Sequence, residues 1–213
     1  MTNPKTQQAT ILSFVRDLPN ICSLAGLLCA VLGIYFAVLG NFPAAIIGVI
    51  WATLFDWGDG IIARQMKGRT QEARAFGGQL DSLIDIVSFG VLPALILLSY
   101  GEFSPLFLPG AFLIIAACAI RLSYFNLFGL NEDSSYIGMA VDNNGIILAF
   151  FFLFESILNH TFFSVLIYTI IVAMAALNVA PIRTPKFTGK WVYVLTAYVL
   201  GLTAIYGWML LRQ

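Results

Sequence analysis

The sequence predicts an all-α membrane protein, a polytopic bundle of helices with its N-terminus in the cytoplasm. Of its 213 residues, 60% are apolar and only 10% are charged, whereas a soluble domain carries about 25% charged residues. Several apolar runs approach the roughly 20 residues that a helix needs to cross the hydrocarbon core of a bilayer. The formal net charge is zero, which argues against nucleic acid as a partner.

The chain, 1–213, is predicted to form a single domain, because no linker or low-complexity segment divides it. Its first part, 1–19, is expected to lie on the membrane surface as an amphipathic segment that ends at Pro19. Short polar breaks then separate seven predicted spans. Their approximate bounds are 21–40, 43–65, 78–99, 106–127, 137–157, 162–181 and 190–211.

Basic residues set the expected orientation, because cytoplasmic loops carry an excess of Lys and Arg. With seven spans and a cytoplasmic N-terminus, Arg212 alone of the 11 basic residues falls outside. The residues placed inside are Lys5, Arg16, Arg64, Lys67, Arg69, Arg74, Arg121, Arg183, Lys186 and Lys190. The fifth span is the weakest, since residues 142–145 interrupt its first half. A re-entrant segment there would move the last three of these residues outside, so we expect it to span.

Four aspartates lie near the predicted cytoplasmic ends of the second and third spans: Asp56, Asp59, Asp81 and Asp85. A carboxylate at membrane depth costs roughly 2.5–3.5 kcal/mol, so such residues are found mainly where they bind something. Members of each pair are three or four residues apart and therefore share a helix face. Because a short turn joins the two helices, the two pairs are expected to face each other.

Converging carboxylates repel one another unless a cation neutralises them. Their hard oxygen ligands suit Mg²⁺ or Mn²⁺, which engage substrate phosphates. Two such ions roughly 3.5–4 Å apart would clamp a phosphoryl group during its transfer. Gly60 lets a bulky ligand approach the backbone, and Arg64 on the same side of the helix can bind a phosphate. At Gly26, Gly33 and Gly48 we expect ordinary helix packing.

The pattern D-x2-D-G-x2-A-R-x12-G-x3-D-x3-D over residues 56–85 resembles the signature of the CDP-alcohol phosphatidyltransferases, and every fixed position is met. The resemblance implies transfer of a phosphatidyl or similar group from a CDP-linked lipid, such as CDP-diacylglycerol, to an alcohol, with release of CMP. It also implies two divalent ions, Mg²⁺ or Mn²⁺, and a homodimer among membrane lipids. The implied fold is a six-helix membrane core, to which this chain would add one C-terminal span.

The same resemblance implies roles for individual residues. All four aspartates would ligate the metals, and Asp85 would also act as the base that takes the proton of the acceptor hydroxyl. The site would face the cytoplasm from a multi-pass position in the cell membrane. Binding of the CDP-lipid is expected of Asn20, Gly60, Ala63, Arg64 and Gly77.

Outside the signature, residues 80–94, 121–126 and 178–187 resemble the membrane phosphatidylserine synthases of that family. Serine would offer a carboxylate to Arg121 and an ammonium to Asp142, an acid that the family pattern lacks. Ethanolamine or choline would suit Asp142 alone, and inositol phosphate or glycerol phosphate stays open as an acceptor; Arg121 favours serine. The acceptor-site candidates are Arg121, Asn126, Asp142, Arg183 and Lys186.

The acceptor-site candidates could instead have only structural roles, and the aspartates could belong to a protein of another function. Arg121 would then be a snorkelling side chain near a helix end, and Asp142 a hydrogen-bond or ion-pair partner within the bundle. An intramembrane prenyltransferase would place its aspartates in separate parts of a longer bundle and would lack the D-G-x2-A-R sequence. A divalent-cation transporter would need polar residues as far as the other face, whereas 44–54 and 87–98 are nearly all apolar.

Overall fold

The computed structural model describes residues 10–129, 135–185 and 190–212. It confirms the predicted all-α membrane bundle. The α-helices are Ile11–Val15 (α1), Leu18–Val38 (α2), Phe42–Gln65 (α3), Gln71–Asp85 (α4), Leu92–Tyr100 (α5), Leu108–Phe128 (α6), Asp142–Phe152 (α7), His160–Val179 (α8) and Lys190–Leu210 (α9). A π-helical turn, Ile86–Val91, joins α4 to α5, and a 3₁₀ turn, Pro105–Phe107, precedes α6. Two short antiparallel strands, Ser135–Ile137 (β1) and Arg183–Pro185 (β2), pair Tyr136 with Thr184.

The helices begin where the sequence provides caps. The side chain of Asn41 accepts a hydrogen bond from the amide of Ala44 at the start of α3, and Thr70 and Asn159 do the same for α4 and α8. Proline occupies the first turn of α2, where its missing N–H costs no helical hydrogen bond. Local sequence therefore explains most of the boundaries between spans.

Six helical stretches among the described residues are long and apolar enough to cross a bilayer. They are Leu18–Val38, Phe42–Gln65, Gln71–Tyr100, Pro105–Phe128, His160–Val179 and Trp191–Leu210. The predicted C-terminal span is present, but the predicted helix at 137–157 is wrong in its bounds. There α7 has only 11 residues, a rise of about 16 Å against a hydrocarbon core of roughly 30 Å. Strand β1 and a turn at Gly138, with φ +77°, occupy the first part of that segment.

The segment that contains α7 nevertheless runs beside α3. At its start, Asp142 bonds to Trp57 in the second half of α3. At its end, the Phe152 ring lies 5.9 Å from that of Phe42 at the beginning of α3. Hydrogen-bonded turns over residues 150–158 follow and lead into α8. The chain thus follows α3 through a short helix and turns, and the crossing of the membrane that the charge argument expects here stays a prediction.

Helices α2 and α3 pack backbone against backbone. A Cβ atom added at Gly48 would lie 2.7 Å from the Cα of Gly33 and 2.7 Å from the carbonyl oxygen of Cys29. A Cβ at Gly26 would lie 3.1 Å from the Cβ of Phe55. The packing role expected of Gly26, Gly33 and Gly48 is thus confirmed, and it fixes α3 against α2.

The N-terminal segment contacts the turn between α3 and α4. Of the predicted interfacial segment 1–19, the first nine residues lie outside the described residues. The ring of Phe14 stacks on that of Phe76 with centroids 4.7 Å apart, and Asp17 forms an ion pair of 2.6 Å with Arg69. These contacts attach α1 to the end of the bundle from which the two aspartate-bearing helices emerge.

Buried amides hold the π-helical turn Ile86–Val91, which follows Asp85 directly. The carbonyl of Phe89 accepts a hydrogen bond from Asn144 Nδ2 at 3.2 Å. Asn144 also donates to Asn178 Oδ1 at 3.0 Å, and both amides are fully buried. Because a π-turn rotates the residues before it relative to those after it, this network fixes how Asp85 is presented to the rest of the bundle.

We expect Asn144→Ala to lower the free energy of unfolding by about 1–3 kcal/mol, because buried groups of Phe89 and Asn178 lose their donor. The measurement is the midpoint of thermal unfolding in detergent. Thr169→Val changes an exposed hydroxyl on α8 and serves as the control with an unchanged midpoint. A wild-type midpoint for Asn144→Ala would mean that the network does not stabilise the fold.

Candidate active site

Three of the four predicted metal ligands converge at one point. One carboxylate oxygen from each of Asp56, Asp81 and Asp85 lies within 4.8 Å of the other two. Asp56 projects from the second half of α3, and the other two project from one face of α4. The three are buried or half-buried. A set of hard oxygen donors at this separation fits Mg²⁺ or Mn²⁺.

The fourth aspartate, Asp59, borders this group and is turned toward α2. Its Oδ2 atom accepts a hydrogen bond from Ser23 Oγ, and its carboxyl lies within hydrogen-bonding range of Asp81. Both Asp59 and Ser23 are buried. Sequence analysis did not single out Ser23, whose one local signal is a hydroxyl within an apolar span. The hydroxyl provides one of the hydrogen bonds that offset the cost of burying this carboxylate.

A cavity of about 230 Å³ opens beside the aspartates, and all four line it. Gly60 and Arg64 also line it, and Arg64 Nη1 lies 3.4 Å from the position of a Cβ at Gly60. Asn20, Ala63 and Gly77 are not among its lining residues. Asn20 and Gly77 instead meet each other, since a Cβ at Gly77 would lie 3.0 Å from Asn20 Oδ1. Of the five CDP-lipid candidates, the structure thus brings two into the cavity.

Arg121 supplies a buried cation on the wall of this cavity. It is 6% exposed, and its guanidinium lies 5.1 Å from the ring centre of Phe125 and 4.9 Å from that of Tyr136. Burial raises the pKa of the Tyr136 hydroxyl, so this ring partner stays neutral. In the part of the chain that the structure describes, Arg121 Nε has no hydrogen-bond partner. Its burial excludes a snorkelling side chain, and its free donor suits a carboxylate or phosphate.

Asp142 lies at the start of α7 and lines the same cavity. Its Oδ2 atom accepts a hydrogen bond of 2.8 Å from Trp57 Nε1, and Trp57 also lines the cavity. Neither Trp57 nor Tyr136 was found from the sequence. Trp57 occupies a variable position of the signature, and Tyr136 reaches the site only through the pairing of β1 with β2.

The other acceptor-site candidates lie farther from the cavity. Asn126 Oδ1 accepts a hydrogen bond of 3.1 Å from Ser82 Oγ; Ser82 lines the cavity, whereas Asn126 does not. Arg183 is exposed on β2 and is not a lining residue. Lys186 lies outside the described residues. Arg121 and Asp142 therefore line the same cavity as the aspartates. Asn126 contacts the lining residue Ser82 and does not line the cavity itself.

Comparison with known proteins identifies relatives of this chain. The sequence model described as CDP-alcohol phosphatidyltransferase matches residues 16–212. The chain is 31% identical over 182 residues to the archaetidylserine synthase of Methanothermobacter thermautotrophicus, covering 84% of this chain and 73% of that protein. It is 29% identical over 182 residues to the CDP-diacylglycerol–serine O-phosphatidyltransferase of Methanocaldococcus jannaschii, with 84% and 81% covered. For the Bacillus subtilis enzyme of the same name, the identity is 26% over 186 residues, with 82% and 98% covered.

We expect Ser23→Ala to weaken Mn²⁺ binding by about ten-fold, because a residue that orients a metal ligand typically contributes that much to affinity. Electron paramagnetic resonance of free Mn²⁺, in titrations of the purified protein in detergent, measures the change. Ser164→Ala is the matched control, since that buried hydroxyl bonds to the backbone of His160 at the far end of the bundle. Equal affinities in both variants and the wild type would contradict a metal site that includes Asp59.

Proposed function

The chain belongs to the CDP-alcohol phosphatidyltransferase family, and from that membership we propose that it transfers a phosphatidyl group from CDP-diacylglycerol, or from its ether-lipid counterpart, to L-serine. The membership confirms the predicted class of enzyme, an integral membrane transferase of phospholipid biosynthesis. The observation that carries the choice of serine is the buried Arg121, whose Nε lacks a partner among the described residues and which shares a cavity with Asp142 and the aspartate cluster.

Serine matches both charges of the cavity. Its carboxylate would pair with Arg121 and its ammonium with Asp142. Ethanolamine and choline would leave a buried guanidinium without an anion, which costs free energy. Glycerol phosphate and inositol phosphate would satisfy Arg121 and leave Asp142 without a cation. The names of the relatives support this choice, because the archaeal synthase and the O-phosphatidyltransferases all name serine.

We assign the metal ligands to Asp56, Asp59, Asp81 and Asp85. Two divalent ions, Mg²⁺ or Mn²⁺, would polarise the diphosphate when bound there and would stabilise the charge of the departing CMP. Through such ions the aspartates would hold the diphosphate end of the donor at the cavity wall. Arg64, above Gly60, adds a fork of donors for a phosphate oxygen. Asn20, Ala63 and Gly77 stay in the proposed CDP-lipid site through the resemblance alone.

Asp85 is proposed as the general base. Its carboxylate accepts the proton of the serine hydroxyl while the serine oxygen bonds to the phosphorus that carries the lipid. The bond between that phosphorus and the bridging oxygen breaks, and CMP leaves with the electron pair. Asp85 is 8% exposed, and the π-helical turn after it keeps its backbone in one orientation. A carboxylate held in this way can contribute a factor of about 10²–10⁴ to the rate.

The remaining proposals concern the surroundings of the site. The distribution of basic residues supports a site that faces the cytoplasm, where serine is dissolved. The lipid donor would reach the same cavity from the bilayer. Asn126, Arg183 and Lys186 are proposed to contribute to the acceptor side at longer range, and the homodimer is proposed from the family resemblance.

The direct test is CMP release by the purified protein with CDP-diacylglycerol and Mn²⁺ or Mg²⁺. Serine, ethanolamine, choline, inositol phosphate and glycerol phosphate are supplied one at a time. We expect release with serine, and its loss when a chelator removes the metal. Release with ethanolamine or choline alone would refute the role given to Arg121. No release with any acceptor would contradict the proposed donor and acceptor together.

We expect Asp85→Asn to lower turnover by at least about 100-fold, because the amide cannot take the hydroxyl proton. Binding of CDP-diacylglycerol, measured by its protection of the protein against thermal unfolding, should largely remain. Glu72→Gln neutralises an exposed acid on the same helix and is the control with wild-type turnover. Turnover of Asp85→Asn near that of the wild type would exclude Asp85 as the base.

A further inference from the structure

The indole of Trp57 links the signature helix α3 to the acid at the start of α7. Its Nε1–H group donates to Asp142 Oδ2 at 2.8 Å, and both residues line the cavity. Trp57 stands at a position that the signature leaves free, and Asp142 lies outside the signature residues 56–85. The three converging carboxylates do not include that of Asp142. Neither the signature nor the group of three carboxylates therefore explains the contact.

We propose that Trp57 is a specificity-determining positioning residue, which holds the Asp142 carboxylate so that it recognises the ammonium group of the acceptor. The inference rests on the proposed function and assigns the selection of amine-bearing alcohols to a pair of residues. Trp57 touches Asp142, and Asp142 would touch the acceptor. Trp57 thus acts through its neighbour and takes no part in the chemical step.

Charge around Asp142 explains why it needs a fixed donor. Asp56, Asp81 and Asp85 are close enough to interact with it electrostatically, as is Arg121. The three acids repel a free carboxylate and Arg121 attracts it, so an untethered Asp142 would move toward the guanidinium. Once paired with each other, the Arg121 guanidinium and the Asp142 carboxylate would no longer be available to bind the acceptor.

The structure keeps these two charges apart. Arg121 and Asp142 line one cavity, yet among the described residues they form no ion pair with each other. Phe125 and Tyr136 flank Arg121, while Trp57 holds Asp142. The cavity consequently presents a separate cation and anion, the arrangement that a zwitterionic amino acid requires.

An indole is well suited to this task. It donates one hydrogen bond and accepts none, so it adds no second hydrogen-bond acceptor for the ammonium group beside Asp142. It is also neutral, so Asp142 keeps its full negative charge. A lysine or arginine at the same place would pair with the carboxylate and cancel the charge that the acceptor has to meet.

The test is Trp57→Phe, which removes the N–H donor and keeps an aromatic ring. We expect the KM for serine to rise by about ten-fold, as for the loss of a hydrogen bond to a charged group. The kcat and the KM for CDP-diacylglycerol should stay unchanged. Trp51→Phe is the matched control: Trp51 lies on the same helix and donates to Thr203 Oγ1 at 3.1 Å, and it is not a lining residue of the cavity.

A second readout separates positioning from a general loss of structure. The competitor 3-hydroxypropanoate is serine without its ammonium group. Wild-type protein should prefer serine to this competitor, and Trp57→Phe should narrow that preference by about the same ten-fold factor. Should Trp57→Phe fail to fold, Asp142→Asn removes the charge with little change of shape, and the same narrowing is expected.

Two results would overturn the inference. One is an unchanged preference between serine and 3-hydroxypropanoate in folded Trp57→Phe or, where that variant does not fold, in Asp142→Asn. The other is a change in the Mn²⁺ requirement with a wild-type KM for serine, which would place Asp142 among the metal ligands. Wild-type protein that releases no CMP with serine would instead refute the proposed function, so the two failures are distinguishable.

Discussion

The central physical constraint on this protein is the cost of holding several carboxylates together inside a membrane bundle. Each acid loses hydration there, and each repels its neighbours. The fold meets that cost with specific partners: Ser23 donates to Asp59, and buried amides fix the π-turn that follows Asp85. A divalent cation would offset the repulsion that remains.

Opposite charges occupy different walls of one cavity. The aspartates face it from α3 and α4, whereas Arg121 faces it from α6 between two aromatic rings. In the proposed function, the metal ligands would bind the diphosphate of one substrate through the ions, and the guanidinium would bind the carboxylate of the other. Because the residues come from different helices, the bundle has to be assembled before either substrate is recognised.

Sequence patterns predicted those features that are encoded locally. Apolar runs gave the long helices, and the spacing of Asp56, Asp81 and Asp85 gave their convergence. The predicted bounds of the fifth span were wrong, because strand pairing between β1 and β2 is a long-range contact that no local pattern encodes. Sequence analysis missed the roles of Ser23 and Trp57 for the same reason. The hydroxyl and the indole each bond to a residue of another helix, and that contact exists only in the folded bundle.

The aspartate cluster is proposed to be a divalent-metal site, and anomalous diffraction from crystals grown with Mn²⁺ and CDP-diacylglycerol tests that assignment. We expect two anomalous peaks, with oxygens of Asp56, Asp81 and Asp85 within coordination distance and Asp59 completing the ligand set. Crystals of protein that is active under the same conditions, with peaks elsewhere or with none at the cluster, would contradict it.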